Sequence, residues 1–294
     1  MPKQTITITA DDSGQTLTQF ARKKLGISAR EWQGLVRSQN IKINNRSAHS
    51  KKILSAGDIL TLFRKEDTPP SLAPEKKALH ILYEDDSCLV VNKPPFLLVH
   101  PTETTKRGTL SNFIAGYYES KGISIPVRPV HRLDRDTSGC ILIAKTKEAQ
   151  QYYASLLQKN ELQRTYRLLT NGLITELKSP IEAPIGVDPR SPNRRKVLPN
   201  GKKATTFFKI IEEYKDNQST LVEATIPTGR THQIRVHFAH MGFPLLGDGM
   251  YGTRTTPYTR QCLHAYKLSF IPSKHTTRIE CTAPLPENFG RENP

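Results

Sequence analysis

Apolar and polar positions along the chain fall into two regions with different rhythms. In the first sixty-odd residues, TITIT alternates and predicts a strand. Leu17, Phe20, Ala21 and Leu25 then recur at helical spacing, with Gly26 as the stop. Ser28 followed by Glu31 reads as a capping box for a second helix carrying Trp32, Leu35 and Val36. IKINNRS predicts a short strand and an Asn-Asn turn, and ILSAGDILTLF a closing strand pair around Gly57. Residues 64–77, RKEDTPPSLAPEKK, have no apolar period and read as a linker. The organisation expected is a module over 1–63, a linker over 64–77 and a large domain over 78–294.

In the large domain, strand-like and helical runs alternate. HILYEDDSCLVVNKP predicts two strands around an acidic turn, TLSNFIAGYYESKG a helix ended by Gly122, and CILIAKT a strand. KEAQQYYASLLQKN reads as a helix with Ala149, Tyr152, Tyr153, Leu156 and Leu157 on one side. RTYRLLTNG is a strand and turn, TTFFKIIEEY and STLVEATIPT are paired strands, and Thr231–Met241 is helical, stopped by Gly242 and Pro244. Strands joined by turns predict an α+β domain: a mixed, largely antiparallel central sheet flanked by helices. The N-terminal module is a small α/β unit.

Charge changes the picture. The 294 residues carry 43 Lys and Arg against 27 Asp and Glu, a net charge of +16, which favours a polyanionic partner. Residues 1–64 hold eleven basic and four acidic residues, a net +7, with Arg22, Lys23, Lys24, Arg30 and Arg37 on or beside the two predicted helices. That clustering reads as an RNA footprint. No stretch approaches the ~18 uninterrupted apolar residues of a membrane span, and the first residues lack an apolar signal core. A cytoplasmic protein without membrane association is expected. Cys88, Cys140, Cys262 and Cys281 form no C-x-x-C pair, so free thiols are expected and a zinc site is not.

Two polar clusters are candidates for chemistry. His131-Arg-Leu-Asp-Arg-Asp-Thr-Ser-Gly139 precedes the apolar run CILIAK, at the strand end where reactive groups are often presented. Asp134-Arg-Asp136 is set aside as a phosphatase D-x-D nucleophile, because that motif follows its hydrophobic strand and here the apolar run comes after. The second cluster is Thr228-Gly-Arg-Thr-His-Gln-Ile-Arg-Val-His237. On its helix, His232 and Arg235 share a face. Arg235 falls in the first turn, where the helix dipole disfavours a cation, so a specific anionic partner is expected. His232, His237 and His240 do not share one direction, and no metal site is expected.

HRLDRDTSG, TGRTHQIRVH and GFPLLGDGMYG, with LVVNKP, LLVHP, RTYRLL, IEAPIG, GKKATT and LHAYKLSF in the same order, make the region from Leu79 to Pro284 resemble the pseudouridine synthases of the RluA/RluD type. The N-terminal module resembles the small RNA-binding domain named after small-subunit ribosomal protein S-four. The resemblance implies the pseudouridine synthase fold and isomerisation of uridine in RNA. Ribosomal RNA of the large subunit is favoured; transfer RNA, or a non-catalytic role in ribosome assembly, are the alternatives. It also implies Asp134 as the catalytic carboxylate, Arg235 as its pairing arginine, Tyr166 as the ring that stacks on the target base, and Arg132 as a holder of the flipped nucleotide. Three positions depart from the family's pattern: Phe96 stands where glycine is usual, Arg164 where lysine is common, and Arg167 follows Tyr166 where an apolar residue is usual. The reaction breaks the bond from ribose C1′ to uracil N1 and rejoins the base through C5. It needs no redox change or group donor, so no cofactor is implied. A monomer is the default expectation.

Overall fold

The TITIT run forms β1 (Lys3–Thr7). Thr16 opens α1 (Leu17–Lys23) with a reciprocal capping box: its hydroxyl accepts from Gln19 N, and the Gln19 side chain accepts from Thr16 N. After α2 (Ala29–Arg37) come β2 (Ile41–Ile43) and β3 (Arg46–Ser47). Asn44 and Asn45 join those strands with φ of 51° and 62°, the left-handed pair a tight hairpin turn needs. The closing segment supplies one strand, β4 (Ile59–Phe63), rather than two; Ile53 only bridges Thr16, and Gly57 with the Asp58 carboxylate shapes the turn between. The sheet order is β1-β4-β2-β3. Leu17, Phe20, Ala21, Trp32 and Leu35 pack on it, while Arg22, Lys23, Lys24 and Arg37 are exposed.

This computed structural model describes residues 3–27, 29–63, 72–253 and 257–289. Ser28, the Arg30 side chain and residues 64–71 lie outside the described residues. The chain divides into two compact units, 1–68 and 69–294. The segment read as a linker joins the second unit from Leu72 onward. Asn112 Nδ2 donates to Ala73 O at 2.9 Å, and Glu75 N donates to Asn112 O at 3.0 Å.

The second unit is built on a ten-stranded mixed sheet. Its elements are β5 (Ile81–Glu84), β6 (Cys88–Lys93), α3 (Leu110–Ser120), β7 (Arg128–Pro129), β8 (Ser138–Ala144), α4 (Lys147–Gln158), β9 (Gln163–Asn171) and β10 (Ile181–Glu182). A separate hairpin, β11 (Ile185–Asp188) and β12 (Ser191–Val197), precedes β13 (Thr205–Tyr214), β14 (Ser219–Thr225), α5 (Gln233–His240), β15 (Leu263–Phe270) and β16 (Ile279–Thr282). The path runs β10-β13-β14-β9-β15-β8-β6-β5, with β16 on β15 and β7 on β8. All pairings are antiparallel except β15 with β8.

Alternate strand residues bury against opposite layers. Leu89, Val91, Ile141 and Ile143 meet Phe113, Ile114 and Tyr118 of α3 in the same core as Ile234 and Phe238 of α5. Cys88, Val90, Cys140 and Leu142 face Ala149, Tyr153 and Leu156 of α4. The sheet is thus covered on both faces. The four cysteines are buried free thiols.

At the parallel junction, Gly139 pairs with Ala265 and holds φ of 109°. A Cβ there would overlap the Ala265 carbonyl, so only glycine lets the two strands approach. The loop carrying Asp134 enters the sheet at this junction.

Candidate active site

The Asp134 turn is pinned from several sides. Thr137 N donates to Asp134 O at 3.1 Å, closing the turn. Leu97 N donates to Arg135 O at 3.1 Å, and Lys93 Nζ donates to the carbonyls of Pro94, Leu97 and Arg135, each at 2.9 Å. Lys93 is fully buried. Desolvation lowers its pKa to about 7, opposed in part by the charges of Asp136 and Asp134. Arg260, also buried, donates to Asp136 O and, through its other nitrogen, to Ser138 Oγ. His131 Nε2 accepts from Leu142 N at 3.2 Å, and burial holds that imidazole neutral with a pKa of about 3.

Arg235 finds two anions where its position in the first turn predicted one. Nη1 donates to Asp134 Oδ2 at 2.9 Å, while Nε and Nη2 grip both oxygens of Asp248 at 2.7 and 2.8 Å. The Asp248 side chain is wholly buried and that of Arg235 is 6% exposed, whereas Asp134 keeps 20% exposure. Burial disfavours the guanidinium cation, but the two carboxylates outweigh it and raise the Arg235 pKa above its ordinary value. Asp248 also accepts from Met250 N and Tyr251 N, so the GDGMYG turn is folded around this carboxylate. The result is one fork aimed at a buried anchor and one nitrogen left for Asp134, a geometry lysine could not provide.

A cavity of about 450 Å³ opens over this pair. Asp134, Arg132, Tyr166 and Arg235, the four residues singled out from sequence, all line it. Tyr166 is 5% exposed and packs in the main core as well as facing the cavity, and desolvation raises its pKa. Arg132 is exposed at the mouth. Leu133, Ile226, Ile234 and Leu263 give apolar walls, and Thr228 to Gln233 border one side. Arg164 Nη2 donates to Ile226 O at 3.0 Å, bracing the wall beside Gly229.

Asp248, His232, Tyr251 and Lys93 belong to this site but carry no role in the sequence reading. All four lie within quoted motifs, yet the pairing of Asp248 with Arg235 is tertiary. His232 Nε2 lies 3.8 Å from Asp134 Oδ2, and Nδ1 is 2.8 Å from the Tyr251 hydroxyl. Burial, aided by the charge of Arg235 and opposed by that of Asp134, lowers the His232 pKa. His237, by contrast, is a core histidine, bonded to Thr206 Oγ1 and Ala183 O. Among the described residues no cluster of His, Cys, Asp or Glu could hold a metal ion, and no helix is long and apolar enough to cross a membrane.

The cavity thus holds a largely buried carboxylate whose direction is fixed by a buried arginine. The signature described as RNA pseudouridylate synthase matches residues 87–240. The chain is 39% identical over 284 residues to an uncharacterized RNA pseudouridine synthase, YhcT, of Bacillus subtilis, covering 97% of this chain and 94% of that one. It is 35% identical over 261 residues to a ribosomal large subunit pseudouridine synthase D of Neisseria meningitidis, covering 84% and 69%. Among solved structures, human RNA pseudouridylate synthase domain containing 1 superposes with a TM-score of 0.59 at 26% identity, over 74% of this chain and 85% of that one. The chain belongs to the RNA pseudouridylate synthase family: it is an RNA pseudouridine synthase, an isomerase.

Proposed function

We propose that the protein isomerises specific uridines of large-subunit ribosomal RNA, with Asp134 as the essential carboxylate. The observation that carries the reading is the 2.9 Å ion pair between Asp134 and Arg235 at the base of the cavity. Departure of uracil leaves ribose C1′ electron-poor. A carboxylate beside it can attack the sugar or stabilise the cation, as carboxylates do in glycoside cleavage, or it can remove the C2′ proton. Arg235 balances the carboxylate's charge and fixes its direction, and Asp248 holds Arg235 in place.

A uridine stacked in a helix cannot reach this cavity, so the nucleotide enters flipped out or from an unpaired region. Tyr166 presents its ring to the extruded base, with stacking of this kind contributing about 1–3 kcal/mol. Arg132, charged and exposed at the mouth, holds the backbone of the flipped nucleotide. The exposed basic face of α1 and α2 makes further phosphate contacts, as a module similar to the S-four domain would. The large-subunit assignment is supported by the Neisseria relative's name; transfer RNA is the competing substrate.

Carbodiimide-stop mapping of total RNA from cells with and without the gene tests the substrate. Loss of stops confined to large-subunit ribosomal RNA is the expected result. Loss confined to transfer RNA would overturn the ribosomal assignment while leaving the chemistry in place.

A further inference from the structure

His232 departs from two local rules. It is the N-cap of α5, yet its side chain makes no capping bond, where Ser, Thr, Asp or Asn would satisfy a helix N–H. It also holds φ of 59°, the left-handed region that costs most residues about 1–2 kcal/mol. Such local costs concentrate where a side chain must be aimed for function.

Its surroundings show the aim. The His232 side chain is 15% exposed and lines the cavity beside Asp134. The Tyr251 hydroxyl lies 2.8 Å from His232 Nδ1 and accepts from Arg195 N, also at 2.8 Å. The Tyr251 hydroxyl oxygen accepts from Arg195 N and keeps its own proton to give, and we assign that proton to the bond with His232 Nδ1. The neutral ring then carries its own hydrogen on Nε2. At 3.8 Å from Asp134 Oδ2, that N–H is too far to be used by the carboxylate and is left facing the cavity.

We propose that the Nε2–H of His232 donates a hydrogen bond to the uracil ring as it leaves the sugar, making His232 a further catalytic residue. The proposal rests on Asp134 being the carboxylate beside the reacting sugar. When the C1′–N1 bond breaks, its electron pair departs with the base, and negative charge spreads over N1, O2 and O4. O2 adjoins N1, so it is the carbonyl nearest the sugar and the one a donor beside Asp134 meets. The hydrogen is shared and not transferred. Tyr251 and the backbone of β12 fix the tautomer, so this donor is oriented before RNA binds.

The test compares His232→Gln with His232→Met, side chains of similar length of which only glutamine carries an N–H. Enzyme in excess is mixed with [5-³H]uridine-labelled RNA from cells lacking the gene, and tritium release from C5 is followed in single turnovers. His232→Met should slow the saturated rate about 100-fold, the loss seen when one such donor is removed, with RNA affinity within about threefold. His232→Gln should stay within about tenfold of wild type. His232→Asn, at ease in the left-handed region but too short to reach, should fold normally and match the methionine variant. A methionine or asparagine variant within threefold of wild type overturns the proposal, as does a glutamine variant no faster than methionine. Asp134→Asn, run alongside, separates the two readings: release at the wild-type rate there removes the carboxylate assignment beneath the proposal.

Discussion

Replacing Arg235 by methionine would leave a carboxylate stranded in the protein interior. Asp248 is fully buried and both of its oxygens accept from Arg235. Removing one partner of a buried ion pair typically costs about 3–5 kcal/mol, because the remaining charge is uncompensated. For a domain of this size each kcal/mol lowers the melting temperature by about 2–4 °C, so Arg235→Met should melt roughly 6–20 °C below wild type. The cost belongs to the stranded charge, and a second substitution can remove it. Asp248→Asn added to Arg235→Met leaves a neutral amide whose oxygen still accepts from Met250 N and Tyr251 N. The double variant should recover at least half of the lost stability, while tritium release stays abolished in both. Thermal melts by circular dichroism decide the matter. A single variant within about 2 °C of wild type, or a double variant melting no higher than the single, would refute the argument.

Other consequences are smaller. Lys93 has a pKa of about 7 in the folded chain against an ordinary 10.5, so between those values the unfolded chain binds a proton that the folded chain releases, giving up one of the three bonds Nζ donates as an ammonium. Its contribution to stability therefore rises with pH across that window and is lost as pH falls through 7. Urea titrations of Lys93→Met should show a flatter profile from pH 7 to 10 than wild type; an unchanged slope would contradict the assignment. Phe96 holds φ of 61°, a left-handed backbone that glycine adopts without strain. Phe96→Ala should be less stable than Phe96→Gly by about 1 kcal/mol, since only alanine bears the left-handed penalty; equal midpoints in urea would count against backbone strain. Tyr166→Phe keeps the ring and should bind RNA near wild-type affinity in filter binding, whereas Tyr166→Ala weakens it; equal losses would show that stacking is not what the residue supplies.

The elements that sequence reads well are those whose signals are local. The strand at β8, the hairpin of β13 and β14, and the Asn44-Asn45 turn depend on residues within a few positions of one another. Where the chain's path is set by tertiary contacts, the reading falls short. The helix expected from Thr231 starts at Gln233, because His232 turns left-handed to place its ring beside Asp134. The β11–β12 hairpin is mostly polar and shows no strand alternation; it is held partly by Arg195 N on Tyr251. Leu72 to Glu75 looks like linker by composition, yet Gly116 of α3 leaves room for the Glu75 backbone to lie against the helix. The four residues named from family resemblance do meet at one cavity. The partners of Asp248 and His232 are set by the tertiary fold, and no spacing rule links 134 to 235 to 248. The dipole argument at Arg235 was the one local signal that an anion had to be near.

The central claim is that one carboxylate, Asp134, performs the isomerisation. It is tested most directly by measuring tritium release and RNA binding for purified Asp134→Asn on [5-³H]uridine-labelled RNA. The account predicts no release above background with RNA affinity within about threefold of wild type. Release at a rate approaching wild type would contradict it.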